Sequence, residues 1–160
     1  MNDYGHWQSS VGDFNPDDYT GFVYRITRKD TQRQYIGKKI FYSTTRRKVA
    51  GRKNRKVVKK DSGWREYTGS CEELNVEIAN LGKDQFVFEI IYAGKNKRDI
   101  NYAETELQFT ESVLTTLLED GSRAYYNSNI MNNTELELAP DYESPPSSPS
   151  NESEEIYENQ

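Results

Sequence analysis

The stretch GFVYRITRKDTQRQYIGKK, residues 21–39, decides how the chain is read. Phe22, Tyr24 and Ile26 alternate onto one face, the pattern of a strand. The polar run RKDTQRQ then turns the chain, and YIGKKIF, residues 35–41, reads as a second strand, so the two form a hairpin. Each strand carries a tyrosine inside an apolar triplet, Phe22-Val23-Tyr24 and Tyr35-Ile36-Gly37. Tyrosine suits half-buried strands. The pair are therefore either cross-strand aromatics or reactive phenols, and the hairpin alone does not choose.

Working outward, Ser70 followed by Glu73 forms a capping-box pattern, and Leu74, Ile78 and Leu81 recur at helical spacing. Gly82 ends that helix. QFVFEIIYAG, residues 85–94, supplies a third strand, and a longer helix runs from Arg98 to Leu118 with Ile100, Ala103, Leu107, Leu114 and Leu118 on one side. EDGSRAYYNSNI is a turn and a short closing segment. The order β-β-α-β-α predicts an α/β (α+β) domain, with a small three-stranded, mainly antiparallel sheet and flanking helices over residues 20–130. Residues 1–19 are polar and turn-rich with Trp7 and Phe14 as isolated apolar points, which suggests a flexible arm or an edge cover. Residues 131–160 turn to Glu, Ser, Pro and Asn without period, the composition of a disordered acidic tail.

The net charge of −5 conceals an asymmetry. Residues 131–160 hold eight acids and no base, so the first 130 residues are net +3. Within them RRKVAGRKNRKVVKK, residues 46–60, is a basic insertion with nine bases and no acid. Such a run repels itself unless a polyanion is near, and phosphate backbone is the natural partner. It contains no aromatic residue, which favours electrostatic tracking over base stacking. No apolar run is long enough for a membrane span and no signal-peptide pattern opens the chain, so a soluble, cytoplasmic protein is expected. The single cysteine, Cys71, excludes an intrachain disulfide and a cysteine-rich zinc site. The single histidine, His6, lies in the arm, which sets histidine catalysis aside. There is no phosphate loop and no Glu-x-Lys pair. A general base must then come from Tyr, Lys, Asp or Glu.

The ordered set of segments resembles the GIY-YIG nuclease superfamily, in particular its stand-alone phage members. YIG at 35–37 is literal, and its distance from Tyr24 is the family's. Phe22-Val23-Tyr24 stands where the family has Gly-Ile-Tyr, with a glycine one place early at Gly21. GWREYTGS, FVFEII, NYAETELQ and YYN follow in the family's order. The resemblance implies a metal-dependent DNA endonuclease, homing-type or DNA-degrading, using Mg2+ or Mn2+, in the host cytoplasm if phage-encoded. It implies that Tyr24 and Tyr35 are the paired phenols and that Glu104 binds the metal. Helical geometry independently puts Glu104 on the border of the apolar stripe, three residues before Leu107; Glu111 shares nearly that stripe, and only the motif selects Glu104. Tyrosine, with a pKa near ~10, needs a cation to act as a base. Lys38, with Lys39, either supplies it or meets solvent or DNA phosphate. Asn127 matches the family's late asparagine or is a turn residue. The family's arginine falls near Arg46 and Arg47 by register, and Arg65, just before the regular helix, is the competing choice taken here.

DNA contact is expected through Arg46, Arg47, Lys48, Arg52, Lys53, Arg55, Lys56, Lys59 and Lys60. No zinc finger or helix-turn-helix pattern follows the domain, so tight site specificity is not expected unless the basic insertion provides it. The acidic tail solubilises the chain, competes with DNA for the basic insertion, or docks a partner protein. The alternative function is a non-catalytic nucleic-acid-binding module whose tail recruits partners.

Overall fold

The computed structural model describes residues 2–130 and 142–146. Its strands are β1 (Gln8–Ser9), β2 (Gly21–Arg28), β3 (Gln34–Ile40), β4 (Tyr42–Arg47), β5 (Lys56–Asp61) and β6 (Phe86–Gly94), and its α-helices are α1 (Glu72–Leu81) and α2 (Lys97–Thr110). The order β1-β6-β2-β3 makes a four-stranded sheet, while β4 and β5 form a separate two-stranded ribbon. β2 is antiparallel to both β3 and β6. The expected hairpin is therefore the heart of the domain.

β2 is buried from Gly21 to Thr27 because both sheet faces are covered. With side chains alternating along a strand, Phe22, Tyr24 and Ile26 join Phe88 and Ile90 on one face, against Trp7, Trp64 and the α1 residues Leu74 and Ile78. Val23, Ile36 and Ile91 form the other face, under Ile100, Ala103 and Leu107 of α2. Between Val23 and Tyr24 the pairing with β6 slips, from Tyr92 to Ile90. This bulge re-aims β2 at Tyr24, as bulges beside functional sites do.

Five expectations are corrected. The sheet has four strands, not three, because β1 pairs in parallel with β6, Gln8 opposite Glu89. Residues 2–19 thus cover an edge and do not swing as an arm: Trp7 is 4% exposed, and its indole Nε1 donates to the Trp64 carbonyl at 2.7 Å. The basic insertion is a paired ribbon rather than a loop. The capping box does not form. Cys71 is the N-cap of α1, Glu73 pairs with Arg33 at 2.8 Å, and Ser70 lies against Tyr35. The second helix stops at Thr110, not Leu118, since Ser112 takes a left-handed φ of 51°. Leu114 is consequently 43% exposed, and Val113 fills the core instead.

The opposite sheet edge is covered as well. The Gln34 amide donates to the Ala124 carbonyl, and the Tyr126 amide donates to the Gln34 carbonyl, so the closing segment lies along β3. Of the tail expected to be disordered, only residues 142–146 are described, and there Tyr142 packs on Tyr92 and Tyr102 and donates to Glu106 at 3.1 Å. The rest of that expectation lies outside the described residues.

Trp7→Ala should lower unfolding stability by about 3–5 kcal/mol, the usual effect of emptying a large aromatic site. Urea denaturation checks this. A change within about 0.5 kcal/mol, typical of surface positions, would return residues 2–19 to the role of a loose arm.

Candidate active site

Directly opposed residues of an antiparallel pair share a face, and Tyr24 on β2 stands opposite Gly37 on β3. The Tyr24 ring leans over that glycine: a Cβ at position 37 would lie 2.4 Å from the Tyr24 hydroxyl and 3.0 Å from the Tyr35 ring. Gly69, at φ +88°, closes the other side, where a Cβ would come within 3.2 Å of both phenols. The Tyr24 phenol thus occupies a slot between two glycines, with the Tyr35 ring centroid 6.1 Å away and the Tyr67 ring meeting it edge-on.

The two phenols open onto a cavity of about 440 Å³ that Lys38, Ser70, Glu104, Gln108 and Asn127 also line. α2 brings Glu104 there because its neighbours Ala103 and Leu107 are pinned in the core. The Glu104 side chain is 15% exposed, and its Oε2 lies 2.9 Å from Lys38 Nζ. Gln108, one turn later, donates weakly to Glu104 Oε1 at 3.4 Å and to the Ile36 carbonyl at 3.2 Å. Asn127 is fully engaged with β3: the Ile36 amide donates to its Oδ1 at 3.1 Å, and its Nδ2 donates to the Ile36 carbonyl at 2.8 Å. It grips the peptide unit between the tyrosine and the glycine of the motif.

Burial dominates the electrostatics. It pushes the Tyr24 phenol well above its ordinary 10.0, reinforced by the Tyr35 and Tyr67 phenols and by Glu104. Tyr35 is also raised by burial, against which its contact with Ser70 at 3.3 Å works in the opposite sense. Glu104 is raised from 4.5 by burial, with Lys38 and then Gln108 pulling it back down. Burial thus favours the neutral form of both phenols and of Glu104, and Lys38 opposes it at the carboxyl.

Tyr24, Tyr35, Lys38, Glu104 and Asn127 are therefore brought together, and Arg65 is not. Arg65 lies in a 3-10 turn at Trp64–Glu66, over the Trp64 ring, with Asp61 at 3.1 Å. It precedes α1 in sequence, but the intervening Tyr67–Gly69 turns away from it toward the phenols, so Arg65 braces the root of the β4–β5 ribbon. Among the described residues no arginine lines the cavity; Lys38 is the cation there. Lys39 instead lies over the Tyr67 ring at 4.0 Å. Arg46, Arg47, Lys48, Arg52, Lys53, Arg55, Lys56, Lys59 and Lys60 are all exposed on the ribbon, away from the cavity. Glu111, which helical spacing does not separate from Glu104, is instead buried against Arg25 at 2.5 Å and accepts from the Tyr125 hydroxyl at 2.7 Å. His6 donates to or accepts nothing in the cavity and instead sits 3.0 Å from the Tyr67 carbonyl.

Sequence reasoning missed Gln108, Ser70 and Tyr67. Gln108 had a signal, a polar residue four after Glu104 beside the apolar stripe. Ser70 was read as a helix cap, and nothing in the local pattern of Tyr67 distinguished it among twelve tyrosines.

The donors facing the cavity are hard oxygens, the kind Mg2+ and Mn2+ prefer. Among the described residues no cluster of three or more His, Cys, Asp or Glu side chains exists. Two carboxylates, Glu104 and Glu72, line the cavity; so few suit an ion that keeps waters and completes its shell with substrate phosphate oxygens, and the residues fit such an ion.

The chain carries a GIY-YIG nuclease domain, an endonuclease that hydrolyses phosphodiester bonds. The family model matching residues 6–130 is described as "Putative endonuclease segE, GIY-YIG domain", and the chain belongs to that family. Its start at residue 6 agrees with the packing of Trp7. No curated protein and no solved structure gives a significant match. Among the described residues no helix is long and apolar enough to cross a membrane. Nucleases of this family generally use divalent metal ions, and membership favours the enzyme over the non-catalytic binding module.

Because burial raises Glu104, its ionisation works against folding: the stability it allows is full at low pH and is lost as pH rises through its raised pKa. Glu104→Gln, which cannot ionise, should be more stable than wild type at pH 7 in metal-free buffer. The difference should disappear below about pH 4, where both side chains are neutral. Denaturation at the two pH values checks the sign.

Proposed function

We propose that this endonuclease cuts DNA with the help of Mg2+ or Mn2+ held by Glu104, with Tyr35 as the group that accepts the proton of the attacking water. The convergence of Tyr24, Tyr35, Lys38 and Glu104 on one cavity carries the reading. When bound, the ion would offset the charge of the scissile phosphate and favour departure of the leaving oxygen.

The division of labour between the phenols follows from their surroundings. Tyr24 is 1% exposed and pinned between Gly37 and Gly69, so it serves as a fixed hydrogen-bond donor. Tyr35 is half-buried and touches Ser70, which supports the phenolate form more than any contact of Tyr24 does. Once the Tyr35 phenol has given its own proton to solvent, the phenolate takes the water proton while the water oxygen bonds to phosphorus and the bond to the leaving oxygen breaks. Among the described residues Lys38 is the one cation lining the cavity, and an incoming phosphate gives its ammonium a second anionic partner beside Glu104. Asn127 and Gln108 keep Ile36, and so the motif, in register.

DNA is held outside the cavity by the basic ribbon. A phage-encoded enzyme acting in the host cytoplasm is the setting inferred from the resemblance of the motifs. The acidic tail, as a competitor for the ribbon or a docking segment for a partner protein, belongs to the same inference.

Supercoiled plasmid should be nicked or linearised with Mg2+ and left intact with EDTA. Folded Glu104→Ala and Tyr35→Phe should each lose activity by about 10²–10⁴-fold, the range of a positioned acid–base group. Intact plasmid with every divalent ion tested, alongside a salt-sensitive gel shift, would replace this mechanism with simple binding.

A further inference from the structure

The β4–β5 ribbon is built unlike a solvated loop. Its two six-residue strands pair only with each other, from Tyr42 opposite Asp61 to Arg47 opposite Lys56. An isolated two-stranded ribbon is marginal in water, and like charges directly opposite one another weaken it further. Arg47 and Lys56 are such a pair, and among the described residues neither they nor Lys60 has an ion-pair partner. A polyanion lying along the ribbon would relieve that repulsion.

The root, by contrast, is rigid. Phe41 is fully buried and packs edge-on to Trp64, the Ser62 amide donates to the Phe41 carbonyl, and Asp61 pairs with Arg65. Tyr42 donates to Asp17 at 2.6 Å, and Lys59 lies over the Tyr42 ring at 4.0 Å. The face bearing Tyr42, Asp61, Thr44, Lys59, Arg46 and Val57 is thus tied to the body at its root alone, through Tyr42 and Asp61, and farther out Val57 is 57% exposed. The opposite face has three rungs: Ser43 with Lys60, Thr45 with Val58, and Arg47 with Lys56. It presents small hydroxyl and methyl groups in the middle and cations at both ends.

Strands of a ribbon lie about 4.8 Å apart and six residues reach about 20 Å. The DNA major groove, about 12 Å wide, admits a two-stranded ribbon, and its floor offers thymine methyls to Thr and Val and guanine edges to Arg and Lys. About 20 Å covers roughly six base pairs. We infer that the β4–β5 ribbon inserts into the major groove of duplex DNA and reads bases through Thr45, Val58, Arg47 and Lys56, while Arg46, Lys59 and the tip cations Arg52, Lys53 and Arg55 meet phosphates. The ribbon is then the specificity element of the enzyme. Because its root adjoins β3, which carries Tyr35 and Lys38, the bases it reads lie at a fixed offset from the bond that is cut. This rests on the DNA-cutting reading for the offset and not for the base preference.

The test uses the full-length protein and a duplex library randomised over about 20 base pairs. One arm sequences the ends cut with Mg2+; a parallel arm sequences the fraction retained in a gel shift with EDTA. Wild type should show a contiguous preference block to one side of the cut, and N7-methylation of guanines within the block should weaken binding. Thr45→Ala/Val58→Ala, which removes no charge, should flatten the preference about tenfold while keeping the salt dependence of binding. Circular dichroism confirms the variant's fold. Equal preferences in variant and wild type, or uniform cutting by wild type, would overturn the proposal in favour of phosphate tracking. A preference in the bound fraction without any cutting would uphold the ribbon and remove the nuclease mechanism; cutting without preference in either arm would do the reverse.

Discussion

The hydroxyl of Tyr24 lies only 2.4 Å from where a Cβ of residue 37 would be. That close approach sets the spacing of β2 and β3, aims both phenols at the same cavity, and fixes the height at which Glu104 must arrive from α2. It needs several supports. The bulge at Val23–Tyr24 turns the strand, Gly69 leaves room on the far side, and Asn127 and Gln108 hold the Ile36 peptide. A phenol inserted between two glycines gains dispersion contacts on both faces of its ring, and it loses water. The same burial that secures the ring therefore determines its chemistry, because a dry phenol resists ionisation.

The two acids of the second helical stretch show how placement separates structure from chemistry. Glu111 meets an arginine and a tyrosine in a site with 6% of its side chain exposed, where its charge is satisfied on both oxygens. Removing one member of such a buried pair is strongly destabilising, so it acts as a clasp between the end of α2 and the sheet. Glu104, seven residues earlier, is met by a half-exposed lysine and one long amide contact. Its charge is balanced more loosely than that of Glu111. Both acids sit beside the same apolar stripe, and their partners come from strands far away in sequence.

That distinction explains what could be read without coordinates. The hairpin, the third long strand, the first helix and the positions of Tyr24, Tyr35, Lys38 and Glu104 all follow from local periodicity or from literal motif residues. Arg65 was misplaced because adjacency to a helix in sequence says nothing about the side of the turn on which a side chain falls. The parallel pairing of Gln8 with Glu89 has no local signal, since two residues carry no period. Trp7 and Phe14 looked isolated for the same reason: their neighbours in space, Trp64 and Phe41, come much later in the chain. The ribbon was hidden by its own charge, because its β-formers, Tyr42, Thr44-Thr45 and Val57-Val58, are interleaved with a run of cations.

The grip of Asn127 on Ile36 spans 91 residues, and β1 waits for β6 over a similar interval. During synthesis the hairpin emerges early, with Tyr35 and Lys38 already in place on β3, but the peptide between them stays unclamped until residue 127 has left the ribosome. Such long-range closure slows folding, and here it also sets an order of events. The nascent chain exposes its cationic ribbon before its cavity is complete, so it can meet nucleic acid well before it is assembled to cut. Maturation of the catalytic centre is in this sense timed by translation itself.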